Sequence, residues 1–493
     1  MLLKAGALSL ALLLASRLLG LLRESALAAT FGTSGLADVA VLMLTLPDWL
    51  AAVLASGALA YVLLPHWAQR EPQEIAASQR RIARMLLGGG ALFAVMLVLL
   101  RELAVVWLAG GLPQELRPAA AGALVWSAVA LPAALLAALW TTRLQHQRDF
   151  LGMYSSSIVV NLVLLGAIVL AAAGSGNADA VGWLGFGLLV AMLLRLAWLR
   201  WRQAPVAATT IVASPASMPR LNLWVWAVLS AGLPLALPFA ARSLASQSGE
   251  GALATFNYAW KLVELPLILA IQLVASLAFP AIAKALAGAA QGDAPAAAQA
   301  SIRSAFALAF ALACACAAGL LAGAPALAQL LFGWGKMEPQ ALAHIAGWAR
   351  IGAWGLMPQA VIAVALTVLA AQGRMRSAVI AYALALAIFL SLGAAGVHDG
   401  GSLMLALNWL LAAVAAASVL AIGPQALRWL PWGVMAGPLA ALMAVALALR
   451  LSPGTTGAIG VTVSLAIAVA CATLVLAVAW LAGSGLRDTS RDN

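Results

Sequence analysis

Charge is what this sequence has least of. Of its 493 residues only 9% are Asp, Glu, Lys or Arg, against 65% hydrophobic, and the mean hydropathy is +1.02. A water-soluble chain of ordinary composition carries about 25% charged residues, so a soluble enzyme or nucleic-acid-binding domain is excluded. Cysteine is scarce too. Cys314, Cys316 and Cys471 all lie in apolar runs; the first two point to different sides of a helix, which argues against a local disulfide, and all three read as small packing residues. The four histidines, His66, His146, His344 and His398, are isolated, with no metal-ligand spacing. There is no GxxxxGK[ST] loop for ATP, no recognisable Ser–His–Asp set, and no alternating pattern of a transmembrane barrel. The net charge of +11 then reads as the Lys/Arg excess that orients membrane proteins.

Long apolar runs fill the chain. At about 20 residues per span, candidates fall near 5–28, 37–64, 84–109, 119–141, 152–173, 179–200, 222–246, 255–283, 302–330, 343–371, 376–396, 402–422, 432–450 and 457–483. The expectation is an all-α polytopic membrane protein of about fourteen helices. Lys4 and ALAA at 26–29 faintly mimic a signal peptide, but Arg17, Arg23 and Glu24 interrupt its apolar region, so the segment is taken as a retained first helix. Basic residues concentrate in alternate loops: Lys4; Arg70, Arg80, Arg81 and Arg84; Arg143 and Arg148; Arg200, Arg202 and Arg220; Lys284 and Arg303; Arg374 and Arg376; Arg428; Arg487 and Arg491. The other loops hold only Arg117, Arg242, Lys336 and Arg450. Both termini are therefore expected in the cytoplasm. The polar stretch RWRQAPVAATTIVASPASMPR at 200–220 looks like a linker. The expected division is an N-terminal lobe at 1–200 (helices 1–6), a cytoplasmic linker at 201–221, a C-terminal lobe at 222–424 (helices 7–12), and helices 13–14 with a cytoplasmic tail at 425–493. Leu46–Pro47 with Pro65, and Leu265–Pro266 with Pro280, suggest that the lobes echo one another, a recurrent plan among transporters.

A few charges interrupt the apolar runs. Arg17, Gly20 and Glu24 share one stripe of the first helix, with Arg23 about 100° from Glu24. Asp38 opens the second helix, and YAWKLVELP sets Lys261 and Glu264 three apart, just before Pro266. Each such charge costs about 2.5–3.5 kcal/mol at a bilayer centre on insertion scales. For Lys261–Glu264 and Arg101–Glu102, mutual pairing and a functional role stay open side by side. Arg350, near a helix end, is expected to snorkel to the interface. Arg17 and Arg23 crowd the first helix with one neighbouring acid, Glu24, and Lys261 adds a third cation. A net-positive intramembrane cavity wants an anion or water, and the planar fork of arginine suits phosphate. Gly20, Pro47, Gly57 and Pro266 are the candidate packing and hinge positions. Asn161, Gln272, Gln359 and Asn408 are expected to hydrogen-bond between helices.

The run SRLLGLLRESALAATFGTSGLADVAVLMLTLPDWLAAVLASGALAYVLLP resembles the opening of the MurJ (MviN) family of lipid II flippases, within the multidrug/oligosaccharidyl-lipid/polysaccharide exporter superfamily. It keeps Arg17, Gly20, Arg23, Glu24, Phe31, Gly32, Asp38, Leu46, Pro47, Gly57, Ala58 and Pro65 of that pattern. YAWKLVELP and LLFGWGKMEPQAL are similar to two further family segments. The resemblance implies two six-helix lobes plus two helices in the bacterial inner membrane, and alternating-access transport of undecaprenyl-pyrophosphate-linked peptidoglycan precursor to the periplasmic leaflet. It places Arg17, Arg23 and Lys261, with Asp38, Glu24 and Glu264, at the substrate. The family's helix-two arginine falls at Ala51 and its usual acid at Ser56. No cofactor, metal or nucleic acid is implied; membrane lipids and cell-wall synthesis proteins are the expected company. Coupling to membrane potential or a monovalent cation, at a site not identified, is also implied. Three alternatives stay open: a flippase for another polyprenyl-linked glycan, a cation-coupled drug exporter, for which an acidic cavity would be expected, and a non-transporting cell-wall scaffold.

Overall fold

The computed structural model describes residues 2–68, 70–173, 177–203, 218–290, 295–451 and 460–488. Among these there is no β-strand, and every regular element is helical. Eleven helices are long and apolar enough to cross a membrane, or twelve when one bent pair is taken as a single span. The two remaining apolar segments of the sequence reading are the first helix, interrupted by Arg17, Arg23 and Glu24, and the eighth, divided by a π turn. The described parts of all fourteen segments thus lie mainly on helices. The chain is an all-α, multi-pass membrane protein.

The chain divides into two compact units: residues 1–254 with 334–337, and 255–333 with 338–493. The first division therefore follows residue 254. Most of the anticipated 201–221 linker, residues 204–217, lies outside the described residues.

In the first unit α1 (Leu2–Phe31) turns into α2 (Gly35–Val53) through Gly32, whose φ of +63° is the left-handed conformation that ends helices. Ser34 Oγ donates to Phe31 O over 2.8 Å to close the corner. A π turn, Leu54–Ala58, joins α2 to α3 (Leu59–Trp67). There follow α4 (Pro72–Leu99), α5 (Arg101–Leu108), α6 (Arg117–His146), α7 (Phe150–Ala173), α8 (Asn177–Arg202) and α9 (Leu221–Ala245). The centre is α6, which packs on α2, α4 and α8. Its inward face is a run of fully buried small and branched residues, Ala120 to Leu144, that lets backbones approach closely.

α10 (Ala252–Pro266) begins at the end of the first unit and runs into the second; another π turn, Leu267–Ile271, connects it to α11 (Gln272–Ala290). Proline followed by a π turn thus recurs in the two helices whose Leu–Pro pairs echo each other in sequence. The second unit continues with α12 (Pro295–Phe332), α13 (Pro339–Ala353), α14 (Leu356–Ala371), α15 (Met375–Ala394), α16 (Gly400–Ile422), α17 (Ala426–Trp429), α18 (Trp432–Leu451) and α19 (Val461–Asp488). Its centre is α12, which α11, α13, α14, α18 and α19 surround. α13 and α14 meet at 47°, where Asn408 Nδ2 donates to Ile351 O over 2.7 Å.

Candidate functional site

Among the described residues, two groups of charged side chains interrupt the apolar helical segments, one in each unit. In the first, Arg23 is only 9% exposed and Glu24 is buried beside it. Although the two residues point about 100° apart on α1, the long arginine stem reaches round, and Nη2 donates to Glu24 Oε1 over 2.9 Å. Its Nη1 donates to Asp48 Oδ2 of α2 over 3.2 Å. Asp48 was not among the site residues expected from sequence, although it directly follows Pro47 in the middle of a span. Arg195 of α8 also lies within electrostatic reach of Asp48. It too was missed, because LLRLAWLRWR reads as a basic helix end. Its signal was its position, more than a turn inward from Arg200. Arg17 is exposed and sits within electrostatic reach of Tyr154 on α7. Gly20 faces Asn161, whose Nδ2 donates to Ser16 O over 3.3 Å. This is one of the expected interhelical amide bonds, and Asn408 makes another. Gln359 instead donates to Gly355 O within its own segment.

Asp38 sits elsewhere. It is 1% exposed, and its two carboxylate oxygens accept from Gly251 N and Ala254 N, both over 2.8 Å. Those amides belong to the first turn of α10, where N–H groups have no partner within their own helix and the dipole favours an anion. In return Glu250 Oε1 accepts from Gly35 N, the first amide of α2, over 2.8 Å. The α1–α2 corner and the start of α10 cap each other. Lys336 N donates to Ala29 O over 2.9 Å at the same corner.

In the second unit Lys261 Nζ donates to Glu264 Oε2 over 2.7 Å, with both side chains 28% exposed. Pro266 follows, directly before the π turn. Arg350 departs from expectation. Its Nε donates to Leu321 O inside α12 over 3.0 Å, so it serves a carbonyl of a neighbouring helix and does not simply snorkel. Arg101 and Glu102 pair at 3.5 Å on an exposed part of α5.

Outside the spans, Asp149 at the α6–α7 corner accepts two bonds from Arg202, of 2.8 and 2.9 Å, and one of 3.0 Å from Gly152 N. Burial alone would raise its pKa. The Arg202 and Gly152 hydrogen bonds and the charge of Arg202 outweigh burial and hold the carboxyl below the usual carboxylate range.

The first unit's cluster sets two guanidiniums, Arg23 and Arg195, against Glu24 and Asp48, with Arg17 exposed earlier on α1. Such a set can hold an anion. A solved structure described as lipid II flippase MurJ in an inward closed conformation superposes with a TM-score of 0.79 at 13% identity, covering 95% of this chain and 98% of that one. An inward-facing multidrug resistance MATE family transporter of the MOP superfamily gives 0.58 at 13% identity, covering 88% and 99%. At these identities both show the fold alone. A probable lipid II flippase MurJ of Rhizobium meliloti (strain 1021) is 26% identical over 294 residues, covering 55% of this chain. The match spans about half the length of that relative, 53%. The sequence model described as lipid II flippase MurJ matches residues 27–481, nearly the whole chain. The chain belongs to the MurJ family of lipid II flippases, which are transporters and not enzymes.

Proposed function

We propose that this chain carries undecaprenyl-pyrophosphate-linked peptidoglycan precursor from the cytoplasmic to the periplasmic leaflet of the bacterial inner membrane by alternating access. The observation that carries this reading is the Arg23–Glu24–Asp48 cluster with Arg17 inside spanning helices, in a chain of this family. Guanidiniums kept at such depth are expensive unless they serve an anion, and a lipid pyrophosphate offers one with the geometry an arginine fork matches. Arg17 and Arg23 are the binding residues of the first unit and Lys261 that of the second, with Glu24 and Glu264 as their counter-charges. Asp38 supports the site indirectly, by fixing the α1–α2 corner. The alternating Lys/Arg bias supports cytoplasmic placement of both termini. Membrane potential, which acts on the site's own charge, is the proposed energetic input. A cation-coupled drug exporter fits less well, because it calls for an acidic cavity, whereas Arg17, Arg23 and Lys261 favour anions. Synthesis enzymes of the cell wall are the partners this role implies.

Lipid II translocation into proteoliposomes, and rescue of a flippase-depleted bacterium, test the reading. Wild type is expected to succeed in both, and Arg23→Ala to fail in both at matched expression. At the second unit's pair, Lys261→Ala is expected to stay inactive when Glu264→Ala is added, whereas recovery in the double variant would make the pair a structural bridge. A wild-type protein that inserts and folds yet moves no lipid II would refute the reading.

A further inference from the structure

Asp48 hydrogen-bonds one guanidinium and lies within electrostatic reach of a second. Arg23 donates to it over 3.2 Å. Arg195 lies within its electrostatic reach, yet no described residue accepts a hydrogen bond from Arg195 Nε, although that atom is shielded from solvent. The Nε of Arg23 is in the same condition, on a residue 9% exposed. A shielded donor on a cation that lacks an acceptor costs on the order of 1–3 kcal/mol or more. Two of them beside one carboxylate make a donor set larger than the protein's own acceptors fill.

Helix pinning does not account for this. Where an arginine of the same helix does pin, at Arg202, its fork is spent on Asp149 with two bonds of 2.9 and 2.8 Å. Arg195 keeps its fork unspent. The acceptor it faces is also not fixed by burial, since the Asp48 side chain is 43% exposed against 11% for Arg23. Ala51, buried one turn further along α2, supplies no cation here; the additional cation near Asp48 comes from α8.

We propose that Arg195 is an anion-binding residue acting with Arg23 on a phosphate-class oxyanion, and that Asp48 is the internal counter-ion that the arriving anion displaces. A carboxylate has two oxygens and serves one guanidinium fork. A pyrophosphate presents several charged oxygens and satisfies both buried Nε–H groups at once. Asp48 thereby stabilises the empty site and sets a threshold that a weakly charged ligand does not overcome. The proposal deepens the flippase reading and rests on it for the lipid-linked source of the anion.

The test measures inorganic pyrophosphate binding to the detergent-solubilised full chain by calorimetry, with melting temperature recorded for each variant. Arg195→Gln is expected to weaken binding about tenfold, the loss of one charge-assisted hydrogen bond. Arg195→Lys should fall between it and wild type, and Asp48→Asn should tighten binding. Arg202→Gln, removed from the cluster, is the control for general destabilisation. Wild type that binds no pyrophosphate, unchanged affinity in Arg195→Gln, or weaker binding in Asp48→Asn would each overturn the proposal. If Arg195→Gln does not fold, Arg195→Lys with wild-type affinity does so. Lipid II translocation is read in parallel. Arg195-dependent pyrophosphate binding without translocation leaves this site standing and removes the flippase reading. Translocation with Arg195-independent binding does the reverse.

Discussion

A proline inside a helix removes one N–H and frees the carbonyl four residues earlier, and a bilayer offers that carbonyl no water. Here two such carbonyls are met by side chains of other helices. Pro47 frees Met43 O, and Ser127 of α6, fully buried, donates to it over 2.7 Å while also contacting Ala123 O. Pro325 frees Leu321 O, and Arg350 of α13 donates to it over 3.0 Å. Ser127→Ala and Arg350→Met are each expected to destabilise the protein by about 1–3 kcal/mol, the cost of a buried acceptor left without a partner. The cause is separable from lost packing. Pro47→Ala restores an N–H at position 47, so Ser127→Ala should cost less in that background, and Pro325→Ala should likewise blunt Arg350→Met. Thermal melts of the solubilised protein give the comparison, and equal losses in both backgrounds would dismiss the carbonyl argument.

At the scale of elements, the π turns at Leu54–Ala58 and Leu267–Ile271 each insert one residue into a spanning helix, a feature that tends to sit where helices bend or function. Gly57 lies inside the first, and a Cβ there would overlap the Cβ of Ala231 on α9. Gly57→Leu is therefore expected to insert in the membrane and lose most transport, and Gly57→Ala to lose less. Adding Ala231→Gly should recover the alanine variant by returning the missing space. Full transport by a well-expressed Gly57→Leu protein would remove the bending argument. A different kind of element contact is the Asp149–Arg202 clamp between the α6–α7 corner and the end of α8. Because the folded carboxyl lies below its unfolded value, its stabilisation is complete above that unfolded value, about pH 3.9, and is lost as pH falls through the depressed folded value. Asp149→Asn should therefore lower stability at pH 7 by about 1 kcal/mol, read as a lower melting temperature, and should converge with wild type as pH falls below the depressed folded value. A gap that persists in acid would assign Asp149 a role other than this ion pair.

Across the whole molecule, the fourteen apolar segments were legible because hydrophobic length is a one-dimensional property, settled by about 20 residues at a time. Roles that depend on which helices become neighbours were not. Asp48 and Arg195 are distant in sequence and acquire meaning only because α2 and α8 are close; Arg350 looked like an interfacial side chain until α12 presented its opened carbonyl. Asp38 was legible as an unusual acid, but its partners, the amides of Gly251 and Ala254, lie more than 200 residues away. Charge summed over the cluster has its own consequence. Counting Arg17, on the same helix as Arg23, the five groups Arg17, Arg23, Arg195, Glu24 and Asp48 of α1, α2 and α8 carry one net positive charge when all are ionised. An inside-negative potential pulls such a site toward the cytoplasm, favouring return of the unloaded carrier. A full charge crossing the field gains about 2.3 kcal/mol per 100 mV, a factor of about 50 in rate. A site that crosses only part of the field should show a several-fold effect. In proteoliposomes with the outward face of the protein and the potential both defined by a potassium gradient and valinomycin, turnover should rise with inside-negative potential. Asp48→Asn removes one negative charge and should steepen that dependence, while Arg195→Gln should flatten it. Turnover indifferent to potential, or slopes that do not order as Asp48→Asn, wild type, Arg195→Gln, would show that the charge of this cluster does not traverse the field.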